Sequence, residues 1–120
     1  MPIIDACIVV PDGECLAPRT AQVLADTIAT VFDAQPQRVW VRLQALPASG
    51  YAENASADAP QPVFLKILHA DLPAAPTRAA QALALAQAVG ACLGRPSDLV
   101  HVEYAAAGRG RVAFGGRLLE

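Results

Sequence analysis

Shifted by 61 positions, the chain lies over itself. Leu24, Ile28, Val31 and Phe32 become Leu85, Val89, Cys92 and Leu93, and Val39 and Val41 become Val100 and Val102. The first set stands at i, i+4, i+7 and i+8, the spacing of one helix face, and its copy keeps that spacing. The second set alternates with its neighbours at the two-residue period of a strand. A repeat constrains the fold more than any single motif, because what the first copy builds the second must build again. Two copies at so long a period are too few for a solenoid.

Each copy has the same order of elements. Ile3 to Val10 is rich in β-branched residues and is closed by Pro11, Asp12 and Gly13, which predicts a strand and a turn. A helix is expected from near Pro18 to Thr20, carrying the first stripe. Residues 33–37, with Pro36, stop it, and Val39 to Leu46 reads as a second strand. Upstream of the second stripe, Pro62-Val63-Phe64-Leu65 echoes Pro2-Ile3-Ile4, and Lys66 stands where the shift puts Asp5. Two consecutive β-α-β units predict an α/β (α+β) fold: a four-stranded mixed sheet, parallel within each unit, with two helices on one face. The other face is left for a partner to cover.

With 120 residues, 54% hydrophobic and 17% charged, the chain suits a single domain over residues 1–120. The repeats occupy 1–50 and 61–120, and the polar, turn-rich stretch 51–60 is their connecting loop. In the tail GRGRVAFGGRLLE, glycines flank Val112-Ala113-Phe114, which could add a short strand.

A net charge of -2 and a pI near 5.6 give no electrostatic footprint for nucleic acid or an anionic membrane. Cys7, Cys15 and Cys92 are odd in number and lack paired spacing, and His69 and His101 lie far apart, so neither metal nor cofactor is expected. Cys92, on the second stripe, reads as core. The first ten residues lack a signal-peptide pattern, and no apolar run approaches the roughly 20 residues of a membrane span. A reduced, cytoplasmic protein is the expectation.

Pro2 carries the sharpest chemical question. Proline gives no N–H to a ladder and is tolerated at the first residue of a strand, which is reason enough for its place. Loss of Met1 would also make it a secondary amine titrating near the α-amino range of about 7.7 to 8, lowered further by burial. Such an amine could act as a base at neutral pH. Its substrate would need a cation, and Arg42 is the first candidate, on a strand face with Arg38 and Trp40. Under the shift Arg42 becomes Glu103 and Trp40 becomes His101. Arg42 reads equally as a solvated strand charge, Trp40 as interface burial or substrate stacking, and His101 as a hydrogen-bonded histidine or a proton shuttle. Arg109, Arg111 and Arg117 offer planar forks for a carboxylate or for acidic residues of another subunit. Asp5 and Lys66, at matching strand positions, read as structural pairing partners.

Taken together, Pro2, two β-α-β units and a glycine-bearing tail resemble the tautomerase superfamily. RVWVRLQALPASGY is similar to the strand and hairpin of 4-oxalocrotonate tautomerase, with Tyr51 where that family carries an aromatic pocket wall. GRPSDLVHVEY resembles a segment of macrophage migration inhibitory factor, whose single chain also holds two units. The resemblance implies a homotrimer whose sheets wrap into a barrel, pockets at subunit boundaries, and Pro2 as general base or acid. The implied chemistry is cofactor-free keto-enol proton transfer on a small enol or 2-oxo acid. Family cations do not transfer: Asp12, Trp40 and Ala34 stand at three of their positions. His69-Ala70-Asp71-Leu72-Pro73 replaces the arginine pair of the superfamily's dehalogenases and decarboxylases, which disfavours those reactions. These departures favour the competing reading, a trimeric binding protein on the same scaffold with weak or no catalysis.

Overall fold

In the computed structural model, which describes residues 2–120, β1 (Ile3–Val10) runs through the sheet interior. Its even-numbered residues Ile4, Ala6 and Ile8 are buried, while Ile3, Asp5 and Cys7 on the opposite face are half-buried. The chain then passes through α1 (Thr20–Phe32), β2 (Trp40–Pro47), β3 (Val63–Leu68), α2 (Ala75–Leu93) and β4 (Val100–Tyr104). A small hairpin, β5 (Ala113–Phe114) and β6 (Arg117–Leu118), completes it. The expected second strand begins one residue later than the alternation suggested and takes in Pro47. That proline is tolerated because β2 is an edge strand, paired only with β1.

The four strands lie in the order β2-β1-β3-β4. β1 pairs with β2 and β3 with β4 in parallel, each partner 37 positions on: Ile3 with Trp40, Val63 with Val100. β1 and β3 meet antiparallel, with Asp5 opposite Lys66. The 61-residue repeat is therefore an approximate two-fold about the middle of the sheet.

Both helices cover the face that carries Ile4, Ile8, Leu65 and Ile67. Leu24 and Ile28 of α1 and Leu85 and Val89 of α2 are fully buried against it, with Val31, Phe32, Cys92 and Leu93 packed around them. Each helix ends in a left-handed residue, Asp33 or Gly94, whose N–H returns to the last turn. After α2, Arg95 crosses back to the sheet, and one Nη1 donates to the carbonyls of Val9 and Gln61, each at 2.7 Å. Among the described residues, no helix is long and apolar enough to cross a membrane.

Among the described residues neither helix covers the opposite sheet face, and within this chain Phe114 of the tail and Tyr51 of the connecting loop reach it at Trp40 and Phe64. It presents Trp40, Arg42, Phe64, Lys66, His101 and Glu103 as exposed side chains. Trp40 is 51% exposed and Phe64 37%, a high value for large rings in a well-ordered sheet.

Candidate active site

Pro2 is buried at the head of β1. Its carbonyl accepts a hydrogen bond from the Trp40 N–H at 3.2 Å, which fixes it beside the first residue of β2. The Trp40 indole N–H donates to the carbonyl of Gln37, and its ring meets Phe114 edge-on, centroids 5.3 Å apart. Phe114 reaches this corner because the tail folds back on itself. Gly115 and Gly116, both at positive φ, make the two-residue turn that suits paired strands, and Arg117 is the register partner of Phe114. Sequence reasoning did not select Phe114; the Gly-Gly pair that follows it was the available signal.

The tail is fastened to the same end of the sheet. Gly108 and Arg109 donate their N–H groups to the carbonyls of His69 and Ala70. Arg109 forks onto Asp71, Nε to Oδ1 at 2.8 Å and Nη2 to Oδ2 at 2.6 Å, which holds the Asp71 carboxyl below its usual range. Arg111 donates Nη1 to the carbonyl of Ala107. Behind this corner, on the helix side, Tyr104 donates its hydroxyl to Oε1 of Gln81, which also lies 3.3 Å from Nε2 of His69. The His69 ring stacks on Tyr104 and tilts against Phe32. Burial lowers the pKa of His69, and the Gln81 contact opposes that shift.

Arg42 lies farther along the bare face and forks onto Asp5, Nε to Oδ1 at 2.6 Å and Nη2 to Oδ2 at 2.9 Å. Glu103 lies 3.9 Å from Lys66. These four residues border a groove of about 570 Å³ that also takes in Phe64 and His101. Tyr51, Phe64 and His101 form an aromatic cluster, with centroids 5.7 and 5.4 Å apart, and the Tyr51 hydroxyl donates to Glu53. Phe64 is the register partner of Cys7, five residues along β1 from Pro2, or about 17 Å.

The chain thus brings Pro2 together with Trp40 and the tail hairpin bearing Arg117. It leaves Arg42 and Glu103 partway along the two edge strands and Tyr51 and His101 toward the far end. Among the described residues, no group of three or more His, Cys, Asp or Glu side chains is placed to hold a metal ion.

No protein-family sequence model matches the chain, and no curated protein sequence does. Solved structures match over nearly its full length. Pt0534, inactivated by 2-oxo-3-pentynoate, superposes with a TM-score of 0.76 at 16% identity, covering 98% of this chain and 94% of its own. A fused 4-OT, solved as a symmetric trimer, gives 0.76 at 22% identity with the same coverage. The macrophage migration inhibitory factor of Oncomelania hupensis gives 0.73 at 14% identity, covering 100% of this chain and 83% of its own. A malonate semialdehyde decarboxylase, FG41, inhibited by 3-bromopropiolate, gives 0.71 at 15%, covering 94% and 88%. Element order, sheet topology and these superpositions agree that the chain has the tautomerase-superfamily fold.

Proposed function

We propose that the protein is a homotrimeric, cofactor-independent tautomerase, a single domain that moves a proton between the enol and keto forms of a small 2-oxo acid. The observation that carries this reading is the buried Pro2, held against Trp40 at the head of β1 and adjoining the Trp40–Phe114 pair. Once Met1 is removed, its nitrogen is a secondary amine with a partly desolvated ring, and burial disfavours the cation. The amine takes the proton of the enol hydroxyl and returns a proton to the neighbouring carbon, so composition and charge are unchanged. A base poised near the working pH contributes about 10²- to 10⁴-fold.

Arg117 is the carboxylate-binding cation in this reading, with Arg111 in support. It lies opposite Phe114 in the hairpin, whereas the forks of Arg42 and Arg109 are occupied by Asp5 and Asp71. Trp40 stacks on the substrate. Tyr51, His101 and Glu103 share a pocket with Pro2 only through a neighbouring copy, and the bare sheet face with its exposed rings supports such copies. The acetylenic carboxylates named with Pt0534 and FG41 support a small carboxylate as substrate, and the 2-oxo group of the first supports a 2-oxo acid.

Intact mass of the untagged protein comes first, since retained Met1 makes the Pro2 nitrogen a non-basic amide. Ketonisation of phenylenolpyruvate is then followed for wild type and Pro2→Ala, with a loss of about 10²- to 10⁴-fold expected. Equal rates above buffer sink the enzymatic reading for this substrate. The engagement of Arg42 and Arg109 by carboxylates of their own chain favours the second reading, a trimeric binding protein. Binding of a 2-oxo acid without turnover would support it.

A further inference from the structure

The bare sheet face carries one row of charge that crosses every strand. Arg42 on β2 stands opposite Asp5 on β1, Asp5 opposite Lys66 on β3, and Lys66 opposite Glu103 on β4. The signs alternate from edge to edge, positive, negative, positive, negative. The pair at each end of the row is made within the chain, as a bidentate fork at Arg42–Asp5 and a looser contact at Lys66–Glu103. The outermost members are the most exposed, Arg42 at 71% and Glu103 at 72%, one on each free edge. Two-fold equivalents are opposite in sign: the shift that takes Asp5 to Lys66 takes Arg42 to Glu103.

We propose that the row closes between copies of this chain, Arg42 at the β2 edge of one copy turning the Nη1 that lies outside its Asp5 fork toward Glu103 at the β4 edge of the next. The inference rests on the trimer reading above and deepens it. A closed ring of identical subunits is head to tail, so a ring that closes through the sheets sets a β2 edge against a β4 edge. Only that arrangement continues the alternation. A two-fold pairing through like edges sets Arg42 against Arg42 or Glu103 against Glu103, which the like charges oppose. The row therefore selects the ring over the dimer, while Ile3, Trp40 and Phe64 on the same face supply apolar contact.

Within one chain the two edge residues are separated by three strand spacings, roughly 14 Å, too far to couple directly once screened. A double-mutant cycle consequently isolates the contact between copies. Arg42→Glu and Glu103→Arg are made singly and together, and sedimentation gives the trimer dissociation constant at about 0.15 M salt, where screening acts within about 8 Å, and at roughly 1 M. Helical circular dichroism confirms that each variant is folded. If the reversals unfold the chain, Arg42→Gln and Glu103→Gln replace them in the same cycle.

Each single change is expected to weaken assembly about two- to fivefold per interface, compounding over three interfaces to roughly 10- to 100-fold. The double reversal should assemble more tightly than the two single effects combined predict, and this recovery should vanish near 1 M salt, where screening acts within about 3 Å. A trimeric wild type with additive effects overturns the closure and leaves the trimer standing. A monomeric or dimeric wild type overturns both.

Discussion

Replacing Gly90 by alanine sets two effects of opposite sign against each other. Alanine is favoured over glycine inside a helix by about 1 kcal/mol, so propensity alone predicts a stabilised α2. Gly90 is buried, however, and a Cβ built there lies 2.7 Å from the backbone oxygen of Arg95 and 3.4 Å from the Cα and N of Ser97. The first distance is well inside van der Waals contact, and the obstacle is main chain, which cannot rotate aside. Arg95 itself is held by its N–H to the Gly90 carbonyl at 2.8 Å and by its guanidinium to Val9 and Gln61. Relief therefore means shifting the 95–97 segment away from α2.

Overpacking of this kind costs about 1 to 3 kcal/mol, which exceeds the propensity gain over most of that range. We expect Gly90→Ala to lose about 1 kcal/mol net, a fall in Tm of roughly 3 to 6 °C for a domain of this size. Thermal unfolding at one fixed protein concentration provides the assay, because assembly makes Tm concentration-dependent. Ala91→Gly, one residue along on an exposed position, is the control and should also destabilise by about 1 kcal/mol. A rise in Tm for Gly90→Ala would refute the steric argument.

Two further outcomes follow from Arg95 at the far end of the sheet and His69 behind the site. Arg95→Met keeps an apolar stem but strands the carbonyls of Val9 and Gln61; urea unfolding should show a loss of about 2 kcal/mol, which lysine restores only in part. Burial lowers the pKa of His69 in the folded state, so the unfolded chain binds its proton more readily. The stability from keeping this ring neutral is full above the unfolded value of about 6.5 and is lost as pH falls from there toward the lowered folded value. Tm measured across this range should drop below about pH 6.5 in wild type and drop less in His69→Gln; parallel profiles would refute the assignment.

Much of the scaffold was legible because it is periodic. The stripes at Leu24–Phe32 and Leu85–Leu93 and the alternation in both second strands require only local spacing, and the 61-residue shift ties them into one sheet. Register is a different kind of information. Asp5, Arg42, Lys66 and Glu103 were each noticed in sequence, and the equal spacing of Arg42 from Asp5 and of Glu103 from Lys66 was there to be read. Only pairing across strands turns four separate charges into a row. Arg95, Gly90 and the Tyr104–Gln81–His69 group were missed because their partners lie on distant elements, and no local pattern marks a long-range hydrogen bond or a close backbone approach. Phe114 was read as strand rather than site, since its contact with Trp40 depends on the tail's reversal.

The repeat builds two equivalent corners but allows the proposed base at only one. The shift that takes Trp40 to His101 takes Pro2 to Val63, so the second corner is headed by a residue in the middle of the chain. Its nitrogen is a peptide amide with no basic lone pair, whatever surrounds it, while Pro2 becomes an amine on loss of Met1 alone. In the proposed trimer, chain topology thus allows three proline sites rather than six. The second corner, freed from that role, carries the Tyr51–Phe64–His101 cluster instead. Titrating the active protein with an acetylenic 2-oxo acid should therefore abolish activity at one amine label per chain, placed on Pro2 by peptide mapping and counted apart from any label on the exposed Cys15 thiol. A second equivalent on the far corner, or full activity after complete labelling of Pro2, would show that the base lies elsewhere.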